Sequence, residues 1–419
     1  MKLLVALSIA SDTYSHVQTD PNGGVHVDES SWTIAPLDRQ VLSKALSISP
    51  CADVFSACSD GAERAFRYAA AMGAQRLVRV NDCPCDAYVA ASHLADVLKS
   101  ESVDAVLCGQ SGWDYATGDF PKWLSCITGI GLVEDVADFC VDPQDPGCLQ
   151  VVCQTDTRRF SAKVSLPVVL SCTKAIYPDA QVRIPSMREM MLAMRTPVEV
   201  RQPKDAHAPK KIFSCFRPVP PRSSVRFLPA DDFATLADIL EDALAAQGSD
   251  VLLQDVPVFS GRILAHLETL GEPSPVPARL VPLWEETLPA HRDLKTAPLV
   301  LSGGMGVGAD AWPLLDELAQ VCGAAVACTR PVYQEGIRPY YEHVGQTGAK
   351  VAPQLYVAFG ISGALQHVAG MVRAARVLAV NTDPQAEIFK YSDYGVVGDV
   401  RAVLQGLLAG FRRRGRPLG

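Results

Sequence analysis

The sequence predicts an α/β protein of two doubly wound parallel-sheet domains joined by an extended proline-rich arm. Three observations carry this reading. Short apolar or β-branched runs alternate with helical patterns up to about residue 198, and the same alternation returns after about residue 297. Between them the composition shifts to proline and basic residues with little periodicity. The chain has 419 residues, 48% hydrophobic and 20% charged, which suits two or three cores.

In the first domain, KLLVAL (2–7), DVFSAC (53–58), RLVRV (76–80) and DAVLCG (104–109) read as strands. DRQVLSKAL, GAERAFRYAAAMG and DAYVAASHLADVLKS read as the helices between them. MKLLVALSIASD mimics a short signal peptide, but a first buried strand explains it better, because the apolar run is short and ends in SDTYSHVQTD. VQTDPNGGVHVD reads as a hairpin about PNGG. Residues 149–172 alternate over two strands that look antiparallel.

From Arg201, RQPKDAHAPKKIFSCFRPVPPRSS reads as a linker, and ADDFATLADILEDALAAQG follows as an amphipathic helix. A second proline-rich stretch, GEPSPVPARLVPLWEETLPAHRDLKTA, leads to the last domain. There PLVLS, AAVACT, LYVAFG, RVLAVN and YGVVGD read as strands, with helices in ADAWPLLDELAQVCG and GALQHVAGMVRAA. The expected divisions are 1–198, an arm over 199–296 with a helix at about 230–247, 297–410, and a basic tail over 411–419.

Charge and cysteine content exclude several classes. A formal net charge of -8 argues against nucleic-acid binding. The thirteen cysteines are odd in number and scattered, which fits a reducing, cytoplasmic setting. The one close pair, Cys83 and Cys85, offers too few ligands for a metal site, and no run approaches the ~18 apolar residues of a membrane span.

Ligands of open α/β sheets bind beyond the carboxyl ends of the strands. The residues found there are GGMGVG after the first strand of the last domain, Thr329 and Arg330 after the second, and ISGALQH after the third. Asn381 ends the fourth, and Ser392-Asp393 precedes the fifth. Gly303, Gly304, Gly306 and Gly308 let backbone amides approach a phosphate. Two such turns in one sheet suit a diphosphate, with Asn381 and Asp393 available to a nucleoside. Arg330, Gln346, Thr347 and His367 are donors of the kind that surround a redox ring. Ser362 and His367 do not form a nucleophile elbow, because Ala364 stands where the last glycine of G-x-S-x-G belongs.

LVLSGGMGVG, CTRPVYQEG, VGQTGAKVAPQLYVAFGISGALQHVAG, AVNTDPQAEIF and SDYGVVGD resemble the FAD-binding domain of the electron transfer flavoprotein α subunit, from about residue 297 to 405. Up to about residue 247, MKLLVAL, IAPLDRQVLSKAL, GAERAFRYAAAMGAQRLVRV, VDAVLCGQ and LPVVLSCTKAIYPDAQVRIPSMREMMLAMRTPVE resemble the β subunit of that protein. The resemblance implies a β-like, adenine nucleotide alpha hydrolase-like domain fused to an α-type FAD domain, without the α subunit's own N-terminal domain. It implies one FAD and an electron carrier rather than a substrate-converting enzyme. The donor would be a flavin dehydrogenase, such as one of the acyl-CoA dehydrogenase type, and the acceptor a quinone reductase or another protein. A second copy or another subunit would cover the surface that the missing domain leaves.

By the same resemblance Arg330 lies against the isoalloxazine ring. Thr347 sits near N5 with Gln346 and Gly348 beside it, and His367, next to Gln366, is a positive donor at the O2 edge. Ser302, Gly303, Gly304, Ser362 and Gly363 would contact the diphosphate and ribityl chain, and Thr329, Asn381 and Asp393 would complete the site. Ile184, with Met187, aligns with the partner-docking anchor, although helical spacing would also suit them as core. The FAD domain would swivel on the arm, and Gln154 stands where the family has an acidic brake on that motion. Met305 replaces the arginine of the family's GGRG loop. In GQSGWDYATGDFPKW, Asp114 survives, but Gly118-Asp119-Phe120-Pro121 replaces NQTG. Pro121 removes an amide donor and Asp119 repels phosphate, which argues against AMP or a second FAD there. These departures also suit an alternative, a non-redox scaffold that keeps the fold.

Overall fold

The computed structural model describes all residues except 12–16, 20–24, 28–31, 83–85, 111–117, 156, 178–180, 205–206, 219–221, 223, 246–254, 259–262, 288–291, 347 and 415–419. The chain divides into unit 1, residues 1–216 with 266–289, and unit 2, residues 217–265 with 290–419.

The sheet of unit 1 is built from β1 (Leu3–Ala6), β2 (Asp53–Ala57), β3 (Arg76–Val80), β4 (Ala105–Gly109), β5 (Gly131–Val141), β6 (Cys148–Gln154), β7 (Arg158–Ser165), β8 (Val168–Cys172) and β9 (Val198–Arg201). A tenth strand, Leu280–Thr287, forms one edge, and the order is β9-β3-β2-β1-β4-β8-β5-β6-β7-edge. The half from β9 to β5 is parallel, and β1, β4 and β8 are buried along their whole length. Helices cover both faces there, so these strands read as unbroken apolar runs. α1 (Pro36–Ile48) and α2 (Glu63–Met72) share the core of one face, and α3 (Ala87–Leu98) and α4 (Phe120–Thr128) that of the other.

The remaining strands are antiparallel. In residues 149–172 the expected antiparallel pair is β6 and β7, whereas β8 runs parallel to β4 and β5. Strands Val17–Thr19 and Val25–Val27 pair as a hairpin, and its PNGG turn lies outside the described residues. Residues 199–296, read from sequence as an arm, contribute to both units. β9 pairs with β3 and Leu280–Thr287 with β7 in unit 1. β10 (Arg226–Leu228) and α6 (Phe233–Ala245) belong to unit 2.

Unit 2 adds β11 (Leu299–Gly303), β12 (Ala325–Cys328), β13 (Leu355–Phe359), β14 (Arg376–Asn381) and β15 (Tyr394–Val397). The sheet is parallel throughout, in the order β10-β15-β14-β13-β11-β12. α6, α7 (Trp312–Cys322) and α10 (Val400–Arg413) bury one face, and α9 (Leu365–Met371) lies on the other. The basic stretch read as a tail begins inside α10, where Arg412 pairs with Glu317 at 2.7 Å, and Arg414, just past the helix end, pairs with Glu241 at 2.9 Å. Among the described residues no helix is long and apolar enough to cross a membrane, and no group of three or more His, Cys, Asp or Glu could hold a metal. Cys83 and Cys85 lie outside those residues.

Candidate functional site

In unit 2 the chain passes from β11 to β12 on one side and returns to β13 on the other. The carboxyl ends of β11 and β13 therefore flank a topological switch point, where open α/β sheets bind ligands. Two glycine turns meet there. The Gly304 amide donates to Phe359 O at 2.8 Å and the Gly306 amide to Gly360 O at 3.1 Å. A Cβ on Gly304 would stand 2.3 Å from Gly360 O, and one on Gly303 would stand 2.3 Å from the Trp312 indole. For Gly304 and Gly306 this corrects the expectation of amides free for phosphate: they lock one turn onto the other, and Gly303 makes room for Trp312.

The open donors belong to the second turn. The amides of Ser362, Gly363 and Ala364 meet no acceptor among the described residues. Gly363 has φ +92°, and a Cβ there would stand 2.2 Å from the Ile388 amide nitrogen. That amide donates to Ser362 O at 3.0 Å. Asn381 Nδ2 donates to Ile361 O at 2.9 Å, while its Oδ1 accepts the Asp383 amide at 3.0 Å. Asn381 therefore braces the turn with Nδ2 while Oδ1 fixes its own following loop. A rigid turn with unspent amides and the exposed Ser362 hydroxyl fits a diphosphate.

The neighbouring strand ends bring most other candidates to the same edge. Thr329 follows β12 and its amide donates to Gly303 O at 3.1 Å. Arg330 is exposed at the start of α8 (Arg330–Gln334). The Gln346 amide donates to Gln366 O at 2.6 Å, and Gly345 packs on Gly370, so the loop through Gly348 lies along α9. Thr347 is outside the described residues. Ser302 is fully buried, and its hydroxyl has no well-formed hydrogen bond.

Two expectations change. His367 is buried, with Nε2 3.0 Å from the Tyr356 hydroxyl and Nδ1 3.0 Å from Val344 O. Burial pulls its pKa down to about 4, so it is neutral at pH 7 rather than a positive donor. Asp393 precedes β15, and its amide donates to Val377 O. That is four residues below Asn381, about 13 Å toward the amino ends of the strands. Its carboxylate holds Arg222 at 2.5 Å and the Val377 amide at 2.8 Å. The acid at the carboxyl end is Asp399, whose neighbour Gly398 donates its amide to Asn381 O at 3.0 Å. The GD that closes YGVVGD signals it, because it follows the strand rather than preceding it.

Unit 1 has its own switch point, between β1 and β4. A small recess lies there, lined by residues including Ser8, Asp38, Phe55, Gln110, Phe120 and Pro121. Asp38 takes the Ser8 amide at 2.6 Å and the Gly109 amide at 3.1 Å. Burial pushes its pKa up to about 7 despite both bonds. Asp119, expected to repel phosphate, is paired with Lys211 at 2.5 Å, so its charge is compensated inside the unit. Pro121 lies in the first turn of α4, where it removes one amide donor. Asp114 is outside the described residues.

Ile184 is 85% exposed and Met187 80%, which removes them from any core of unit 1. They stand on a rigid base. Ser186 and Glu189 form a capping box on α5 (Met187–Ala193), and Arg67 donates to the carbonyls of Met194 at 2.8 Å and Thr196 at 2.6 Å.

Comparison with known proteins fits this geometry. Residues 24–206 match the electron transfer flavoprotein domain, and residues 293–372 match the electron transfer flavoprotein FAD-binding domain. The chain is 49% identical over 117 residues to "Electron transfer flavoprotein subunit alpha, mitochondrial" of Oryza sativa, covering 28% of this chain and 33% of that protein. It is 47% identical over 123 residues to the α subunit of Mycobacterium leprae, 29% of this chain and 39% of that one. It is 36% identical over 160 residues to "Protein FixB" of Rhizobium meliloti, 38% and 45% of the two. The chain thus spans a third to under half the length of these relatives. Its C-terminal region, over residues 293–372, matches an FAD-binding domain of the electron transfer flavoprotein type, which supports FAD binding there.

Proposed function

We propose that the protein is an FAD-containing electron carrier, a β-like unit 1 fused to an α-type FAD domain, that takes electrons from a flavin dehydrogenase and passes them to another acceptor. The observation that carries this reading is the braced turn at the switch point of unit 2, with the unspent amides of Ser362, Gly363 and Ala364. Bound FAD supplies the redox chemistry. The chain's part is to hold the diphosphate on those amides and to frame the ring with Arg330, Gln346, Thr347 and His367. Ser302, Gly303, Gly304, Thr329, Gly348, Gln366 and Asn381 shape the same edge. Asp399 replaces Asp393 in it as the acid at the carboxyl end.

Donor docking falls to Ile184 and Met187, whose exposure on a fixed base suits an adaptable apolar contact. The purified protein is expected to be yellow, with one FAD per chain, and to be reduced stoichiometrically by a matching dehydrogenase without turning over a small substrate. A colourless protein that takes up no added FAD would sink the proposal. Ile184→Ala is expected to slow reduction by the dehydrogenase about tenfold while moving stability by under about 0.5 kcal/mol, as suits an exposed contact. A core residue would cost about 2–5 kcal/mol instead.

A further inference from the structure

His367 has a neighbour that the cofactor reading does not use. Tyr356, on β13, is fully buried, and its hydroxyl meets Nε2 at 3.0 Å. Val344 O, 3.0 Å from Nδ1, can only accept, so Nδ1 carries the proton. The buried ring is neutral, so Nε2 is a bare acceptor and the Tyr356 hydroxyl donates to it. The Ser302 hydroxyl, orphaned in the sheet, lies close enough to Tyr356 to oppose the strong rise that burial imposes on the phenol. Ser302, Tyr356 and His367 therefore form a row of two rotatable hydroxyls ending on an imidazole.

Such a row has two arrangements with the heavy atoms in place. In one, Tyr356 donates to bare Nε2. In the other, Tyr356 turns its O–H toward Ser302 Oγ, and its oxygen accepts from a protonated Nε2. Among the described residues no charged group contributes to the state of His367, which is set by burial and the Val344 bond. Among the described residues, the titratable group acting on Tyr356 is the Cys328 thiol at the end of β12, which burial drives far up and keeps neutral, and the buried His343 stands next to Val344 on the loop that holds Nδ1.

We propose that Tyr356 is a positioning residue whose reversible hydroxyl lets His367 gain a proton when negative charge arrives at the cofactor edge and lose it when the charge leaves. The inference rests on the FAD reading above. With FAD bound, the proton that His367 would gain comes from bulk water and would return there, while the electron would come from the dehydrogenase and pass to the acceptor of the reading above. No covalent bond of the chain changes.

The test uses the full-length protein in two forms. Without FAD, ¹⁵N NMR of His367 should show an Nδ1-protonated neutral ring that titrates near pH 4. Tyr356→Phe removes the acceptor of the charged form, so that titration should fall by about one pH unit, since a charge-assisted bond is lost in exchange for a neutral one. With FAD, the midpoint potential against pH should bend where His367 titrates in the reduced protein, and the bend should move down by a similar amount in Tyr356→Phe. Ser302→Ala, which takes away the partner of the turned hydroxyl, should shift both readouts the same way and by less. It also stands in if Tyr356→Phe does not fold. Unchanged His367 titration and an unmoved bend in these variants would overturn the proposal. A chain that binds no FAD would fail the functional reading alone, because the NMR arm reads the row without it.

Discussion

In unit 1 the switch point lies between β1 and β4, and among the described residues two amides there, Ser8 and Gly109, are taken by the Asp38 carboxylate. In unit 2 the switch point lies between β11 and β13, and the amides of Ser362, Gly363 and Ala364 have no acceptor among the described residues. The two sheets thus offer backbone donors at the same topological place, but in unit 1 two of them are filled by a carboxylate of its own chain. A strand-end crevice binds an anion only if its donors are unspent. Among the described residues this difference supports placing FAD in unit 2, and it makes Asp38 rather than Asp119 the residue that occupies donors at the switch point of unit 1.

The largest effect should come from closing the open turn. Gly363→Ala puts a Cβ 2.2 Å from a backbone nitrogen at φ +92°, so about 5 kcal/mol of stability and the bound FAD should be lost together. Gly336 has φ +72° with nothing within 4 Å of an added Cβ, so Gly336→Ala should cost only about 1 kcal/mol and leave FAD in place. Thermal melts and flavin content of the two variants separate crowding at the site from simple backbone strain.

Asp38 gives the next effect, through pH. Its pKa is raised from 3.8 to about 7, so the folded state binds a proton that the unfolded state has released across that window. Stability from this group is complete below about pH 4 and is lost as pH rises through 7, by about 4 kcal/mol. Asp38→Asn should lower stability overall and remove that fall, as read by urea unfolding from pH 4 to pH 8. A wild-type fall of the same slope in the variant would place the titrating group elsewhere and weaken the contrast between the switch points.

The parts of this contrast that were legible in sequence are those carried by unbroken apolar runs. Arg76–Val80 and Arg376–Asn381 coincide with the expected strands because both faces of a parallel sheet are covered. β5 escaped notice because Glu134, Asp135 and Asp138 break its pattern, and Asp135, at φ 57°, sits where its register with β8 shifts. Arg226–Leu228 and Leu280–Thr287 are edge strands, short or exposed, whose identity depends on the partner strand more than on their own residues. At the site, the serines and glycines were visible, but their partners were not. Gly304 meets Gly360 across more than fifty residues, and Asp393 precedes its strand, so the strand pattern alone does not bring it to the carboxyl end.

The smallest effect should come from Ser362. Its side chain is exposed, while its amide and the two that follow supply the donors, so the hydroxyl adds one contact to a cradle made by backbone. Ser362→Ala should therefore weaken FAD retention by roughly tenfold, the worth of one hydrogen bond of about 1–1.5 kcal/mol, and leave the melting of the apoprotein unchanged. Equilibrium dialysis of FAD against the variant measures it. A loss as large as that of Gly363→Ala would mean that the hydroxyl, rather than the turn, holds the diphosphate, and the distinction between spent and unspent amides would then no longer explain which unit binds the cofactor.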